Sequence, residues 1–230
     1  MELSLGSRMK NTVIFDLDGT ILNTLPDIQG AVNHALHDFG LDGITLEETR
    51  LFVGSGLMNT LNRAIELKSR GFVIGRDAKM RMYDNLIAYY DAHPDMHTYP
   101  YEGIYGMMEE LKERNIKMAV LSNKDETLVP YLVRHFFPGI PFALVRGHRI
   151  GALLKPDPAL IDSILEEIGS SREETLIVGD SMVDYQTGVN ANLDTIIVSY
   201  GFRTPEELSG CSCPVLATVE ELRDEILGRV

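Results

Sequence analysis

The sequence contains very little cysteine, which excludes a fold built on disulfides or structural zinc. Only two cysteines occur, Cys211 and Cys213. A single residue between them is too short a spacer for a relaxed disulfide, and two thiols are too few for a structural zinc site. We therefore expect both to be ordinary thiols near a strand.

Long apolar runs are also missing. No run approaches the roughly 20 residues that span a bilayer, so we expect no membrane segment. Residues 1–10 lack the apolar stretch of a secretory signal, and the sequence alone therefore predicts a cytoplasmic protein. We also expect a monomer or a weak homodimer.

Positive charge is scarce. The chain has 21 lysines and arginines against 34 aspartates and glutamates, a net charge of −13. This balance argues against a general nucleic-acid binder, which carries a basic face. An anionic ligand such as a phosphate ester would need a local positive centre, for example a metal ion, a lysine or a helix N-terminus.

The residues that are abundant predict an α/β fold. Apolar residues make up 44% of the 230, enough for one substantial domain or a core with a smaller insertion. Short apolar, β-branched runs alternate with segments of helical periodicity, which predicts a doubly wound parallel sheet with a Rossmann-like core. The runs are 12–15, 117–121, 142–145, 175–178 and 195–198.

One interval breaks this alternation. Residues 24–97 contain helical patterns and no convincing strand, so we predict an inserted helical cap domain there, with the α/β core formed by 1–23 and 98–230. Below, "cap" means residues 24–97. The four predicted helices rest on three apolar stripes and one capping box: Ile28, Val32, Ala35, Leu36 and Phe39; Thr45 with Glu48; Leu57, Leu61, Ala64 and Ile65; Met80, Tyr83, Ile87 and Tyr90.

Two aspartates, Asp16 and Asp18, follow the first predicted strand, with Gly19 directly after them. Ligands of open α/β sheets bind beyond the carboxyl ends of the strands. Two carboxylates there are costly unless a cation binds between them, and magnesium takes such oxygen ligands. A carboxylate can also attack phosphorus. A plain Asp-Gly turn is the alternative.

Three further segments end or follow later strands. Ser122 and Asn123 offer a hydroxyl and an amide that could hold phosphate oxygens, although strands often end in such turns. Lys155 could bring a positive charge to a phosphoryl group, and the proline after it can open a helix; the alternative is a surface lysine. Asp180 and Asp184 could face one cation if a helix begins between them, or Asp180 or Ser181 could simply cap that helix.

Taken in order, these segments resemble the haloacid dehalogenase-like hydrolase superfamily over residues 11–230. Within it, the chain is most similar to phosphoglycolate phosphatases with a small helical cap, through residues 52–56 and the segment at Lys155. The motifs that carry the resemblance are Asp16-Leu17-Asp18-Gly19-Thr20, Ser122-Asn123, Lys155-Pro156-Asp157-Pro158 and Gly179-Asp180-Ser181-Met182-Val183-Asp184.

The resemblance implies a magnesium-dependent phosphatase acting on a small phosphorylated metabolite. Asp16 would be the nucleophile that forms an aspartyl phosphate, and Asp18 the general acid and base. Mg²⁺ would be held by the carboxylates of Asp16, Asp180 and Asp184 and by the main-chain carbonyl of Asp18. The phosphate oxygens would be bound by Ser122, Asn123, Thr20 and Lys155.

Other activities remain open at this point. A β-phosphoglucomutase-like phosphotransferase, a pyrophosphatase or a nucleotidase would share these motifs, and a phosphoaspartate signalling switch is the non-enzyme alternative. Asp18 argues against the dehalogenases, which need no acid there. Arg146, His148 and Arg149 form either an exposed basic loop or a site for a second anionic group of the substrate.

Overall fold

The fold was analysed in a computed structural model, which describes residues 9–54, 56–149 and 151–230. Residues 1–8 of the predicted core and Ser55 of the predicted cap loop lie outside the described residues. The strands are β1 (Thr12–Phe15), β2 (Leu22–Asn23), β3 (Tyr99–Pro100), β4 (Lys117–Asp125), β5 (Phe142–His148), β6 (Thr175–Gly179), β7 (Asp194–Val198) and β8 (Val215–Leu216). The helices are α1 (Leu25–His37), α2 (Leu46–Phe52), α3 (Leu57–Lys68), α4 (Arg76–Ala92), α5 (Ile104–Glu113), α6 (Leu128–Phe136), α7 (Ala159–Ile168), α8 (Met182–Ala191) and α9 (Val219–Leu227).

The main sheet is parallel and has six strands in the order β5-β4-β1-β6-β7-β8. The chain starts in the middle with β1, builds outward through β4 and β5, and then crosses back to β6 on the other side. This reversal beside β1 is the switch point at which open α/β sheets bind ligands. The predicted doubly wound, Rossmann-like fold is confirmed.

Both faces of the sheet are buried, which explains the continuous apolar runs of its strands. Along β1, Val13 and Phe15 point into a large core with α5, α6 and α9, whereas Ile14 packs on the other face with α7 and α8. All three side chains are completely buried. The strand that carries the candidate nucleophile is therefore fixed on both sides.

The described cap residues form a separate hydrophobic cluster among α1–α4, joined by Leu128 and Phe202 from outside the cap. The capping box that opens α2 is present between Thr45 and Glu48. The stripe predicted for α4 is partly wrong, because its buried face carries Met82, Leu86 and Tyr90 while Met80 is 44% exposed. Position 80 lies off that face because buried residues repeat every fourth position here.

A short antiparallel ribbon joins the cap to the sheet. The chain leaves the core through β2 and returns to it through β3, and these two strands pair with each other. Asp27 on α1 accepts hydrogen bonds from the main-chain amides of His97 and Thr98, at 2.8–3.0 Å. Its carboxylate thereby fixes the returning segment against the first cap helix.

Three local predictions were wrong. Strand β4 runs on to Asp125, so Ser122 and Asn123 lie within a strand and not in the turn after it. Strand β5 runs on to His148 because it pairs with this extension, with Asp125 opposite His148. Pro156 does not open a helix; α7 begins only at Ala159, with Pro158 as its N-cap residue.

Within the described residues, no helix combines the length and apolar character that crossing a bilayer requires.

Candidate active site

A tight turn after β1 sets the direction of the first two aspartates. The carbonyl of Leu17 accepts hydrogen bonds from the amides of Thr20, Ile21 and Leu22 at 3.0–3.3 Å. Gly19 adopts a φ of 86°, which side chains rarely tolerate, and a Cβ there would collide with the Asp180 carboxylate. The glycine thus permits the close approach of this turn to the end of β6.

Three carboxylates converge at the carboxyl ends of β1 and β6. Asp16, Asp180 and Asp184 each place one oxygen within 4.8 Å of the others, and all three residues are buried. They come from the residue after β1, from the residue after β6 and from the first turn of α8, respectively. The predicted grouping of these aspartates is thus present in the fold.

Lys155 lies between two of these carboxylates. Its Nζ donates to Asp16 Oδ1 at 2.6 Å and to Asp184 Oδ1 at 2.7 Å, and its side chain is only 4% exposed. The surface-lysine alternative is therefore wrong. Burial alone would lower the pKa of Lys155, but the two aspartates hold it above its ordinary value.

The Asn123 amide fixes the backbone of Lys155. Its oxygen accepts from the Lys155 amide at 2.8 Å, and its nitrogen donates to the Lys155 carbonyl at 3.1 Å. Both polar atoms of the Asn123 side chain are thus used on the main chain. This engagement favours a positioning role for Asn123 over the phosphate contact predicted from the sequence.

Even with Lys155, the cluster holds excess negative charge. Burial raises the pKa of Asp16 to about 7; Lys155 opposes this rise, while Asp184 and Asp18 add to it. Burial also raises the pKa of Asp180 well above its ordinary range, and the carboxylates of Asp184 and Asp16 act in the same direction. A buried group of acids that resists ionisation is a place where a cation would bind favourably.

The other ends of Asp180 and Asp184 are anchored. Asp180 Oδ2 accepts from the amide of Phe202 at 2.7 Å. Asp184 Oδ2 accepts from the Ser181 hydroxyl at 2.6 Å and from its amide at 3.2 Å. The amide bond and the return bond from the Asp184 amide to Ser181 Oγ form a capping box at the start of α8. Ser181, and not Asp180, is therefore the helix cap, and each aspartate keeps one oxygen toward the cluster.

Asp18 takes a different direction. Its Oδ1 accepts from the Thr24 hydroxyl at 2.5 Å and from Lys124 Nζ at 2.9 Å. Its side chain is 21% exposed. The Asp18 carboxylate therefore stands beside the three-aspartate cluster and is not part of it.

Lys124 received no role from the sequence, although it follows Ser122 and Asn123 directly. Its side chain is 5% exposed, and its Nζ also donates to the phenol oxygen of Tyr90 in α4, at 2.6 Å. A signal was available, because a lysine that directly follows an apolar run needs a partner if the strand extends through it and buries its ammonium. Tyr90 belongs to the apolar stripe predicted for the last cap helix, and that stripe predicts packing within the cap and no contact with the site.

The remaining predicted phosphate contacts lie nearby. Ser122 is buried, and its Oγ accepts from the amide of Lys124 at 3.2 Å, which leaves the hydroxyl proton for another acceptor. Thr20 is completely buried, and its hydroxyl has no hydrogen-bond partner among the described residues.

Of the basic residues after Val145, two lie in a strand and only Arg149 follows it. Arg146 and His148 belong to β5, and Arg146 pairs with Glu167 at 2.5 Å. Arg149 is 75% exposed and pairs with Glu126 at 2.8 Å. Each arginine already has an acidic partner, which disfavours a contact with a second anionic group of the substrate.

The cap also contacts the segment that holds Asp180. Arg50 of α2 donates to the carbonyl of Phe202 at 2.7 Å. In return, Arg203 donates to the carbonyls of Arg50, at 2.8 Å, and Val53. Because the Phe202 amide binds Asp180, these contacts connect the cap to the carboxylate cluster.

The residues fit a hard divalent cation. Three carboxylate oxygens converge in this buried site, and among the described residues no thiol or imidazole belongs to the group. Oxygen-only donor sets are those that Mg²⁺ prefers. The main-chain carbonyl of Asp18 would add a further oxygen. Such a centre, with one lysine and one adjacent acid, can carry out a displacement at phosphorus.

The fold is a parallel sheet with an acidic centre at its switch point. Sequence comparison identifies the family of hydrolases to which it corresponds. The family described as haloacid dehalogenase-like hydrolase matches residues 13–198. The chain belongs to the haloacid dehalogenase-like hydrolases.

Several relatives are phosphatases by name. The chain is 30% identical to a phosphoglycolate phosphatase of Psychrobacter arcticus over 202 residues, covering 86% of this chain and 87% of the relative. It is 29% identical to phosphoglycolate phosphatase 1 of Pseudomonas aeruginosa over 221 residues, covering 95% and 79%. A crystal structure of a candidate phosphoglycolate phosphatase from Lactobacillus delbrueckii subsp. bulgaricus superimposes with a TM-score of 0.88 at 31% identity, covering 96% of this chain and 99% of that one.

Proposed function

We propose that this hydrolase is a magnesium-dependent phosphatase that cleaves a small, phosphoglycolate-like phosphomonoester through an aspartyl-phosphate intermediate. The observation that carries the proposal is the buried cluster of Asp16, Asp180 and Asp184 with Lys155 between two of its members. The names of the relatives support a phosphate ester as substrate.

The metal would be held by the three clustered carboxylates and the main-chain carbonyl of Asp18. When bound, Mg²⁺ neutralises charge on the transferring phosphoryl group. It would also favour the ionised form of Asp16, which a nucleophile requires and which burial opposes.

The side chains of the protein divide the reaction into two displacements. An oxygen of Asp16 attacks phosphorus, the bond from phosphorus to the ester oxygen breaks, and Asp18 gives a proton to that leaving oxygen. A water molecule then attacks the same phosphorus and gives a proton to Asp18, and the bond between phosphorus and Asp16 breaks. Inorganic phosphate leaves, and both aspartates return to their starting forms.

Lys155 and Ser122 would bind the phosphoryl oxygens, the first as an ammonium and the second as a hydroxyl donor. Asn123 acts on Lys155 through the main chain. Thr20 remains a predicted contact. The cap would limit the size of the substrate and exclude bulk water, with its loop at Gly54 and Gly56 facing the ester.

The experiment is a measurement of phosphate release from a panel of small phosphate esters, with Mg²⁺ and with EDTA. We expect turnover only with Mg²⁺, and a loss of more than about a thousandfold in Asp16→Asn. Circular dichroism of that variant checks that the fold is intact. An Asp16→Asn enzyme with wild-type activity would refute the nucleophile assignment, and return of the phosphoryl group to a sugar would instead identify a mutase.

A further inference from the structure

The two-step chemistry gives no role to the buried ammonium of Lys124. This side chain is 5% exposed and lies at the carboxyl end of β4, beside Asp18. Taking an ammonium out of water costs several kcal/mol unless partners replace the lost hydration. Its two partners here are the carboxylate of Asp18 and the phenol of Tyr90.

Tyr90 reaches this lysine from the cap. It lies in the last turn of α4, is completely buried, and its phenol oxygen accepts a hydrogen bond from Lys124 Nζ at 2.6 Å. Burial raises the pKa of Tyr90 to about 12, so the phenol is neutral near pH 7. The contact is therefore a charge-assisted hydrogen bond and not a second ion pair.

The hydrogen bonds that described residues donate to the Asp18 carboxylate go to one of its two oxygens. Thr24 and Lys124 both donate to Oδ1, at 2.5 and 2.9 Å. Among the described residues, no group donates a hydrogen bond to Oδ2. A carboxylate held by one oxygen presents the other in a fixed direction, which is what proton transfer to a leaving oxygen needs.

We propose that Lys124 is a positioning residue that holds Oδ1 of Asp18 so that Oδ2 exchanges the proton, and that Tyr90 holds Lys124 in turn. The inference rests on the proposed function, because it assigns a direction to the acid named there. It makes the orientation of the acid depend on a cap side chain, so that a cap seated on the core is required for proton transfer.

A general acid matters most when the leaving group is poor. Departure of an alkoxide requires a proton, whereas 4-nitrophenolate leaves almost unaided. If Lys124 only stabilises the fold, its loss reduces the active fraction and lowers kcat/KM equally for both kinds of ester. If Lys124 positions Asp18, its replacement lowers kcat/KM mainly for the alkyl ester.

The test compares kcat/KM for 2-phosphoglycolate, or the best alkyl ester of the panel, with kcat/KM for 4-nitrophenyl phosphate. For Lys124→Met we expect a fall of about 100-fold on the alkyl ester and less than about 10-fold on the aryl ester, since general acids contribute about 10²–10⁴-fold. For Tyr90→Phe, one lost hydrogen bond predicts falls of about 10-fold and about 2-fold. Equal falls on both esters would overturn the proposal.

Tyr89→Phe is the matched control, because it removes a phenol hydroxyl from the preceding residue of α4, whose ring stacks on His34. It should change neither ester, and a split like that of Tyr90→Phe would also overturn the proposal. Should Lys124→Met fail to fold, Tyr90→Phe decides alone.

Asp18→Asn provides the reference. If it shows no difference between the two esters, the acid role in the proposed function is refuted. If it shows the difference and Lys124→Met does not, only the positioning role is refuted.

Discussion

Replacing Asp16 with asparagine is expected to stabilise the metal-free protein, most strongly at alkaline pH. In the folded chain, burial raises the pKa of Asp16 from its ordinary value of 3.8 to about 7. The folded state therefore binds a proton that the unfolded state has already lost between these two values. Stability from this group is fully present below about pH 4 and is lost as pH rises through 7.

The size of the effect follows from the two pKa values. A rise from 3.8 to about 7 corresponds to about 4 kcal/mol of unfolding free energy once both states are ionised. Most of it is lost between pH 5 and pH 8, which gives about 3 kcal/mol over that interval. Asparagine does not titrate, so the variant should not lose this part of the unfolding free energy as the pH rises. Lys155 still has Asp184 as a partner in the variant.

The assay is urea unfolding in EDTA at pH 5 and pH 8, for the wild type and for Asp16→Asn. The advantage of the variant should grow by about 3 kcal/mol between the two pH values. Asp42→Asn is the control, because that carboxylate is 73% exposed and pairs with Arg70, and its effect should be the same at both pH values. Excess Mg²⁺ at pH 8 should stabilise the wild type more than Asp16→Asn.

An advantage of Asp16→Asn that is equal at pH 5 and pH 8 would refute the reasoning. It would mean that Asp16 ionises in the folded protein as easily as in the unfolded chain.

Three further substitutions test other parts of the site. Lys155→Met leaves buried carboxylates without their ammonium and should cost about 3–5 kcal/mol of unfolding free energy at pH 7, measured by urea. Gly19→Ala combines a φ of 86° with a collision against Asp180, so it should cost stability and abolish phosphate release; Gly40→Ala, with a φ of 72° and open space, should keep activity. Arg149→Ala should change the ratio of activities on one-anion and two-anion esters by less than about twofold.

For each of these predictions, one result would contradict it. A Lys155→Met protein within about 1 kcal/mol of the wild type would mean that the carboxylates find another partner. Equal activities of Gly19→Ala and Gly40→Ala would show that the turn after β1 can move away from Asp180. A large change of preference in Arg149→Ala would place its guanidinium near the substrate.

The fold was predictable because the sheet is buried on both faces. A strand in that position carries an uninterrupted apolar run, as 12–15 does, and the helices between such runs are amphipathic. Candidate site residues were also visible, because acids such as Asp16 and Asp180 at the ends of apolar strands are costly to bury without a cationic partner. The roles assigned to them remain predictions.

The missed features depend on tertiary contacts. Strand β4 continues through polar residues to Asp125 because β5 pairs with that part, and hydrophobic periodicity carries no information about such pairing. The inward face of α4 was misjudged at Met80, since the position of the other cap helices selects the buried face. The pairing of Lys124 with Tyr90 could not be predicted, because 34 residues separate them in the sequence and only the docked cap brings them together.

The ribbon formed by β2 and β3 has a consequence for how the molecule can vary. Asn23 pairs with Tyr99, so the intervening residues occupy, in topological terms, the loop of a β-hairpin. The free-energy cost of closing a loop grows only slowly with its length, by about 0.6 kcal/mol for each doubling. That loop can therefore be shortened, lengthened or exchanged while the paired strands still hold both ends beside the candidate catalytic aspartates. Under the proposed function, selection of the ester and chemistry at phosphorus can then change independently, except where a side chain such as Tyr90 reaches across.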